Sequence, residues 1–216
     1  MATEDAEARA AIVTAARALD ALGFMPSKSG NLSVRTARGC LITPSGLPYA
    51  VTAPEDLVEM AADGSAPANA RRPSSEWRLH AAIYAARPEV HAVVHTHSPF
   101  ATALSCARQG IPPFHYMIAL AGGEDIRCSA YATFGTAELA EAVVTALAGR
   151  KAALIANHGV VAVGATLAGA QALAMEVENL ARQYLALRAA SLAPVLLTAP
   201  ELAEVLAQFG DYGRLA

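Results

Sequence analysis

Near the middle of the chain an apolar run ends in two histidines one residue apart, His91-Ala-Val-Val-His-Thr-His-Ser-Pro99. Side chains alternate faces along a strand, so His95 and His97 would project to the same side, a pairing that suits metal ligation. A third histidine, His158, stands in Asn157-His-Gly159 at a turn between two short apolar segments, Ala152–Ala156 and Val160–Val163. Imidazole is the commonest protein ligand of zinc, and three protein ligands with an open fourth position is the catalytic rather than the structural arrangement. His80 and His91 lack that setting. One falls inside a helical pattern and the other at a strand start, so both read as ordinary core or surface histidines.

Three short stretches offer a different chemistry. Gly30-Asn31, Ser45-Gly46 and Ser74-Ser75 each place small hydroxyl, amide or backbone N–H donors at a turn or helix start. Such groups can hold an anion such as phosphate without lysine or arginine, although turn formation alone explains each of them singly. Glu76 follows the serine pair in the first turn of a helix, where the helix dipole accounts for a carboxylate. Its position alone does not make it catalytic.

The elements that must position these groups can be read from periodicity. Ile12, Ala16 and Leu19 keep helical spacing from Asp5 to Leu22, with Gly23 as the C-cap. Leu32 and Val34 alternate in a strand, and Cys40–Thr43 reads as its hairpin partner across Thr36–Gly39. Ser74 and Ser75 stand where N-caps stand, ahead of a helix carrying Trp77, His80, Ala81 and Tyr84 that stops near Arg87-Pro88. A short helix follows Ser98-Pro99. Ile111–Tyr116 is extended, and Thr136 caps a helix running to Gly149. The longest helix, Leu167–Arg188, turns Ala170, Leu173, Val177, Leu180, Tyr184 and Leu187 to core or subunit contact, and a last helix starts at Pro200. Hairpin-like pairs early and late point to an α/β fold: a mixed, mostly antiparallel sheet covered by helices, one domain spanning residues 1–216.

Composition narrows the function. A net charge of −3 with 16% charged residues argues against a nucleic-acid surface. Charges or prolines interrupt every apolar run before the ~18 residues a membrane span needs, so no membrane partner is expected. The acidic N-terminus does not resemble a secretory signal, and three widely spaced cysteines suggest no disulfide framework; a cytoplasmic location is expected.

Taken together, Gly30-Asn-Leu-Ser-Val-Arg35, Ile42-Thr-Pro-Ser-Gly-Leu-Pro-Tyr49, Pro73-Ser-Ser-Glu-Trp-Arg78, Ala92-Val-Val-His-Thr-His97, His115-Tyr-Met-Ile-Ala119, Tyr131-Ala-Thr-Phe-Gly-Thr136 and His158-Gly159 resemble, in order and spacing, the class II aldolase/adducin family. The resemblance covers nearly the whole chain and implies a three-layer α/β/α fold. It implies that His95, His97 and His158 bind Zn2+, with Mn2+ or Co2+ as other candidates, and that Glu76 is the catalytic carboxylate, able to approach the metal in the empty site. Gly30, Asn31, Ser45, Gly46, Ser74 and Ser75 match the family's phosphate-binding positions. Tyr116 matches a catalytic tyrosine, and Phe134 and Tyr212 match residues at the aldehyde end. Tyr116 and Tyr212 cross a subunit boundary in the family, so a homotetramer with active sites between subunits is implied.

The implied reaction is cleavage of a ketose 1-phosphate, such as those of L-fuculose, 5-deoxyribulose or methylthioribulose, to dihydroxyacetone phosphate and an aldehyde. Asn157 and Thr96 depart from the histidine and asparagine of family members that act on the fuculose sugar, and both adjoin ligands. Sugar-phosphate epimerases, decarboxylases and dehydratases share the three histidines, although the epimerases carry aspartate where Glu76 stands. A non-catalytic adducin-like module would be expected to have lost ligands that this chain keeps. A zinc hydrolase would also be compatible with the bare histidine set.

Overall fold

Helix α1 (Ala2–Ala21) ends where Gly23 takes φ +77°, a left-handed conformation that costs glycine nothing, and Phe24 N–H donates to the carbonyl of Leu19. The computed structural model describes residues 2–211. After α1 the chain forms β1 (Asn31–Arg35), β2 (Gly39–Ile42), β3 (Val58–Ala61), α2 (Trp77–Ala86), β4 (Ala92–Thr96) and α3 (Pro99–Cys106). It continues through β5 (Arg127–Cys128), α4 (Ala137–Ala146), β6 (Ala152–Ile155), β7 (Gly159–Gly164), α5 (Leu167–Ala189) and α6 (Ala199–Asp211).

The strands form one sheet in the order β3-β2-β1-β4-β7-β6-β5. Every pair is antiparallel except β5–β6. Alternation along the strands gives the sheet two apolar faces. Leu32, Val94, Leu154 and Val160 point to a core shared with α1, α3 and α5, whereas Val93, Ile155, Val161 and Val163 pack with Leu79, Ile83, Leu139 and Val143 of α2 and α4. The sheet therefore lies between two helical layers, the α/β/α order expected from the family resemblance.

Four local differences from the sequence reading have physical causes. Strands β3 and β5 are four and two residues long, too short to show a period. Ile111 pairs with Ile126 in an isolated bridge, but Tyr116–Ala121 coils into a 3-10 helix and only the start of that stretch is extended. Helix α2 begins at Trp77, so Glu76 takes the N-cap position in place of the serines; Ser74 accepts from Glu76 N–H at 3.3 Å instead. Finally, the alternation at Leu32 and Val34 says nothing of what covers the other face of β1, where Asn31 and Ser33 are buried under α2. Among the described residues no helix is long and apolar enough to cross a membrane.

Candidate metal centre and substrate cleft

The β1–β4–β7 register builds one end of the site. His95 is fully buried on β4, directly across from Asn31 on β1 and Val161 on β7. His97 lies just past the strand end, its N–H donating to Phe24 O at 2.9 Å. His158 sits in the β6–β7 turn, where Asn157 takes φ +54° and the His158 N–H donates to Ile155 O at 3.0 Å. The three rings meet edge to face, with centroids 4.8–4.9 Å apart.

Glu76, from the N-cap of α2, completes the cluster. One ligand atom from each of Glu76, His95, His97 and His158 lies within 4.8 Å of all the others. Glu76 Oε2 is 3.1 Å from His95 Nε2, Glu76 Oε1 is 3.2 Å from His158 Nε2, and His97 Nε2 is 3.1 Å from His95 Nε2. The Val160 carbonyl can only accept, so the His95 Nδ1 atom 2.9 Å away carries a hydrogen, which leaves Nε2 as the ring atom aimed into the cluster and available to a metal once its own proton is gone. Glu76 Oε1 is buried with no hydrogen-bond partner despite its nearness to His158. Three ring nitrogens converging on an orphaned carboxylate oxygen fit a divalent cation.

The electrostatics agree with that fit. Burial opposes ionisation of Glu76, but the charges of His95 and His158 and the hydrogen bonds from His95 and Asn31 outweigh it and hold the carboxyl far below the usual range. Burial likewise opposes a charge on His95, yet the Glu76 charge and hydrogen bond raise it. His97 is pushed down to about 3 by burial and by the neighbouring His95 and His158 charges. Burial and His95 push His158 down to about 4. The pocket thus favours one positive charge beside Glu76 and keeps the outer two imidazoles neutral, the protonation state in which histidine ligates.

From this cluster a cleft of about 460 Å³ opens outward. Of the residues singled out in the sequence, it brings together Gly30, Asn31, Ser45, Gly46, Ser74, Ser75, Glu76, His97, His158 and Phe134 on its walls. His95 lies beneath, in contact with Glu76 and His97. Gly30 has φ +79°, and a Cβ there would come within 2.7 Å of His95 O and 2.6 Å of Met25 Sδ, so the chain can pass this close to β4 only as glycine. Tyr116 is not among the lining residues. It is half exposed and stacks on His115 and Phe209. Tyr212 lies outside the described residues.

The sequence reading missed several groups at the site. Lys28 lines the cleft from a turn in which Ser27 and Lys28 both have positive φ, and non-glycine residues in that conformation carry no signature that spacing would show. Tyr131 and Thr133 also line it. Asn157 turns its side chain away from the histidines: Oδ1 accepts from Arg108 Nε at 2.9 Å, and that guanidinium also lies over the Tyr131 ring. His80, read as an ordinary histidine, is fully buried behind Asn31 and within hydrogen-bond distance of it.

Comparisons with known proteins agree with this geometry. Residues 10–185 match the family described as Class II Aldolase and Adducin N-terminal domain. The chain is 52% identical over 206 residues to the 5-methylthioribulose-1-phosphate/5-deoxyribulose-1-phosphate aldolase of Rhodospirillum rubrum, covering 95% of this chain and 92% of the relative. It is 45% identical to the L-fuculose phosphate aldolase of Escherichia coli K12, covering 89% of each. A solved structure of L-fuculose 1-phosphate aldolase superposes with a TM-score of 0.90 at 35% identity, covering 94% of this chain and 96% of that one. With the fold, the family match over most of the sequence and the relatives in agreement, this chain belongs to the class II aldolase and adducin family.

Proposed function

We propose that the chain is a metal-dependent aldolase that cleaves a ketose 1-phosphate to dihydroxyacetone phosphate and an aldehyde. The observation that carries this reading is the convergence of Glu76, His95, His97 and His158 at one end of a cleft whose other walls present the donors of Gly30–Asn31, Ser45–Gly46 and Ser74–Ser75 together with Lys28. His95, His97 and His158 would hold the metal, zinc in the first instance, with Mn2+ or Co2+ able to replace it. When bound there, the ion would supply Lewis-acid polarisation of the ketose carbonyl and stabilise the charge left by bond cleavage.

The protein groups divide the remaining work. The donor-lined wall holds the phosphate, which is remote from the bond that breaks, so binding energy gained there positions the reacting end. Cleavage of C3–C4 turns the C4 hydroxyl into a carbonyl and leaves the electron pair at C3. One proton therefore leaves the C4 oxygen and one arrives at C3. Tyr116, supplied by a neighbouring subunit of a homotetramer, takes the first as its own phenolic proton passes to water, and Glu76, after taking a proton from water, delivers the second. The anionic form of Glu76 that its histidine and asparagine neighbours favour is the form that removes a C3 proton from dihydroxyacetone phosphate in the condensation direction.

Phe134 lines the cleft and, with Tyr212, would meet the departing aldehyde. The 52% identity to a methylthioribulose/deoxyribulose enzyme supports 5-deoxyribulose and methylthioribulose 1-phosphates as candidates beside L-fuculose 1-phosphate. We place the enzyme in the cytoplasm, in keeping with three free cysteines. The test is to offer zinc-loaded protein the 1-phosphates of fuculose, rhamnulose, ribulose, 5-deoxyribulose and methylthioribulose, and to trap dihydroxyacetone phosphate with a coupled reductase. Release from at least one is expected, and release from none sinks the proposal.

A further inference from the structure

Behind the cleft, four hydrogen bonds run in series through a buried part of the core. Tyr84 Oη is 2.7 Å from Ser33 Oγ, Ser33 Oγ is 2.6 Å from His80 Nδ1, His80 Nε2 is 2.5 Å from Asn31 Oδ1, and Asn31 Nδ2 is 2.9 Å from Glu76 Oε2. All five residues are buried, His80 and Ser33 completely. The register explains their meeting: Asn31 and Ser33, two apart on β1, face the same side, and His80 and Tyr84, four apart on α2, lie one above the other on the helix face over them.

Chemistry fixes the direction of every proton. An ionised carboxylate only accepts, so Asn31 must turn its NH2 to Glu76 and its carbonyl to His80. That carbonyl only accepts, so His80 carries its hydrogen on Nε2, and Nδ1 of the neutral ring takes the hydroxyl hydrogen of Ser33. Ser33 in turn accepts from Tyr84. Every link donates toward the carboxylate, and reversing one strands a buried polar atom.

We propose that His80 is a positioning residue, whose Nε2–H fixes the Asn31 amide and through it the Glu76 carboxylate. The inference rests on the reading of Glu76 as the proton carrier. Asn31 also lines the cleft, so the same amide ties the anion-binding wall to the reacting end. His80 touches no reacting atom and acts only through Asn31.

The test has two arms. In zinc-loaded wild-type protein labelled with 15N-histidine, NMR should show His80 as the neutral Nε2–H tautomer; an Nδ1–H tautomer or a charged ring would overturn the proposal. For turnover, His80→Leu should lower kcat for dihydroxyacetone phosphate release about 10- to 100-fold with bound metal unchanged and KM within about threefold, a loss of the size that supporting groups around metal sites show. His80→Gln, whose amide can still donate to Asn31, should recover most of it. Unchanged kcat in His80→Leu, or no recovery in a folded His80→Gln, would count against the role. Should His80→Leu fail to fold, the tautomer and the Gln variant still decide. If wild-type protein cleaves none of the sugars, the reaction reading fails, and the His80 tautomer then supports or overturns the relay independently of turnover.

Discussion

Gly159 presses against His95 so closely that a β-carbon on it would come within 3.3 Å of the imidazole Cε1, and within 2.4 Å of the Thr96 carbonyl. The β4–β7 spacing that sets the proposed metal ligands therefore depends on a missing side chain. Gly159→Ala must push the strand ends apart, because a carbonyl in a paired strand has no rotamer to yield. We expect a stability loss of about 1–3 kcal/mol, the usual range for overpacking. Metal retention during dialysis against a chelator should fall at least about tenfold. Denaturant melts and metal analysis of the dialysed protein measure the two losses separately, and full retention of metal would show that the histidines tolerate the displacement.

Glu76→Gln keeps the shape of the side chain and its contact with Asn31 but removes the charge and the proton carrier. His95, His97 and His158 remain, so zinc content should stay near that of the wild type. Release of dihydroxyacetone phosphate should fall by about 10²–10⁴-fold, the range for loss of a general acid–base group. A variant that keeps turnover would remove Glu76 from the proposed chemistry.

How much of the site is legible in the sequence differs by residue. His95 and His97 declare themselves through a period of two at the end of an apolar run, and His158 through its turn, because spacing along one strand or one turn is local information. The strand β1 shows the limit. Leu32 and Val34 alternate with Asn31, Ser33 and Arg35, a pattern that does not show that Asn31 and Ser33 are both buried. What buries them is a helix 45 or more residues away in sequence, which supplies Glu76, His80 and Tyr84 as partners. Burial of a polar strand face is decided by what covers it, and one strand's sequence does not contain that. Strand β3 escapes notice for the simpler reason that four residues give too few repeats to reveal a period.

The buried histidine makes stability depend on pH in a definite sense. Burial lowers His80 to about 3, against about 6.5 for an exposed imidazole, so as pH falls the unfolded chain takes up this proton before the folded one does. The stabilising contribution is complete above about pH 6.5 and is lost progressively toward pH 3, at up to about 1.4 kcal/mol per pH unit for one such group. His95 works in the opposite sense, since its raised proton affinity favours the folded state below the unfolded value and is lost as pH rises. Comparing His80→Gln with wild type isolates the first effect. Urea melts of metal-free protein between pH 4.5 and 7 should show a shallower acid-side decline in the variant, and parallel curves would mean that the ring is not held neutral.

Glu178 caps a helix it does not belong to. Its two carboxylate oxygens, reaching from α5, accept the N–H groups of Phe100 and Ala101 at 2.8 Å each, in the first turn of α3 and just beyond His97. No sequence signature announces a cap 77 residues away. Glu178→Ala should cost about 2–4 kcal/mol, because two charge-assisted hydrogen bonds are lost and two N–H groups are left without partners. Glu178→Gln, which keeps one acceptor, should cost about half as much. Equal melting temperatures for wild type and Glu178→Ala would contradict the capping role.

Tyr116 stands apart from the cleft that holds its own chain's Glu76, half exposed in the 3-10 helix of Tyr116–Ala121. If Tyr116 completes a neighbouring subunit's site in a fourfold ring, each working site draws Glu76 from one chain and Tyr116 from the next. Glu76→Gln and Tyr116→Phe would then be defects that different subunits can compensate. Each variant alone should be nearly inactive, because every site carries the same lesion. In a mixed assembly refolded from equal amounts, a site is intact only when its Glu76 comes from a Tyr116→Phe chain and its Tyr116 from a Glu76→Gln chain. Random assortment gives about a quarter of the sites that pairing. Dihydroxyacetone phosphate release should therefore recover to roughly a quarter of the wild-type rate in the mixture and stay near zero in the separately refolded variants. Failure to recover, with mixed oligomers confirmed by mass spectrometry, would return Tyr116 to its own chain or remove it from the reaction.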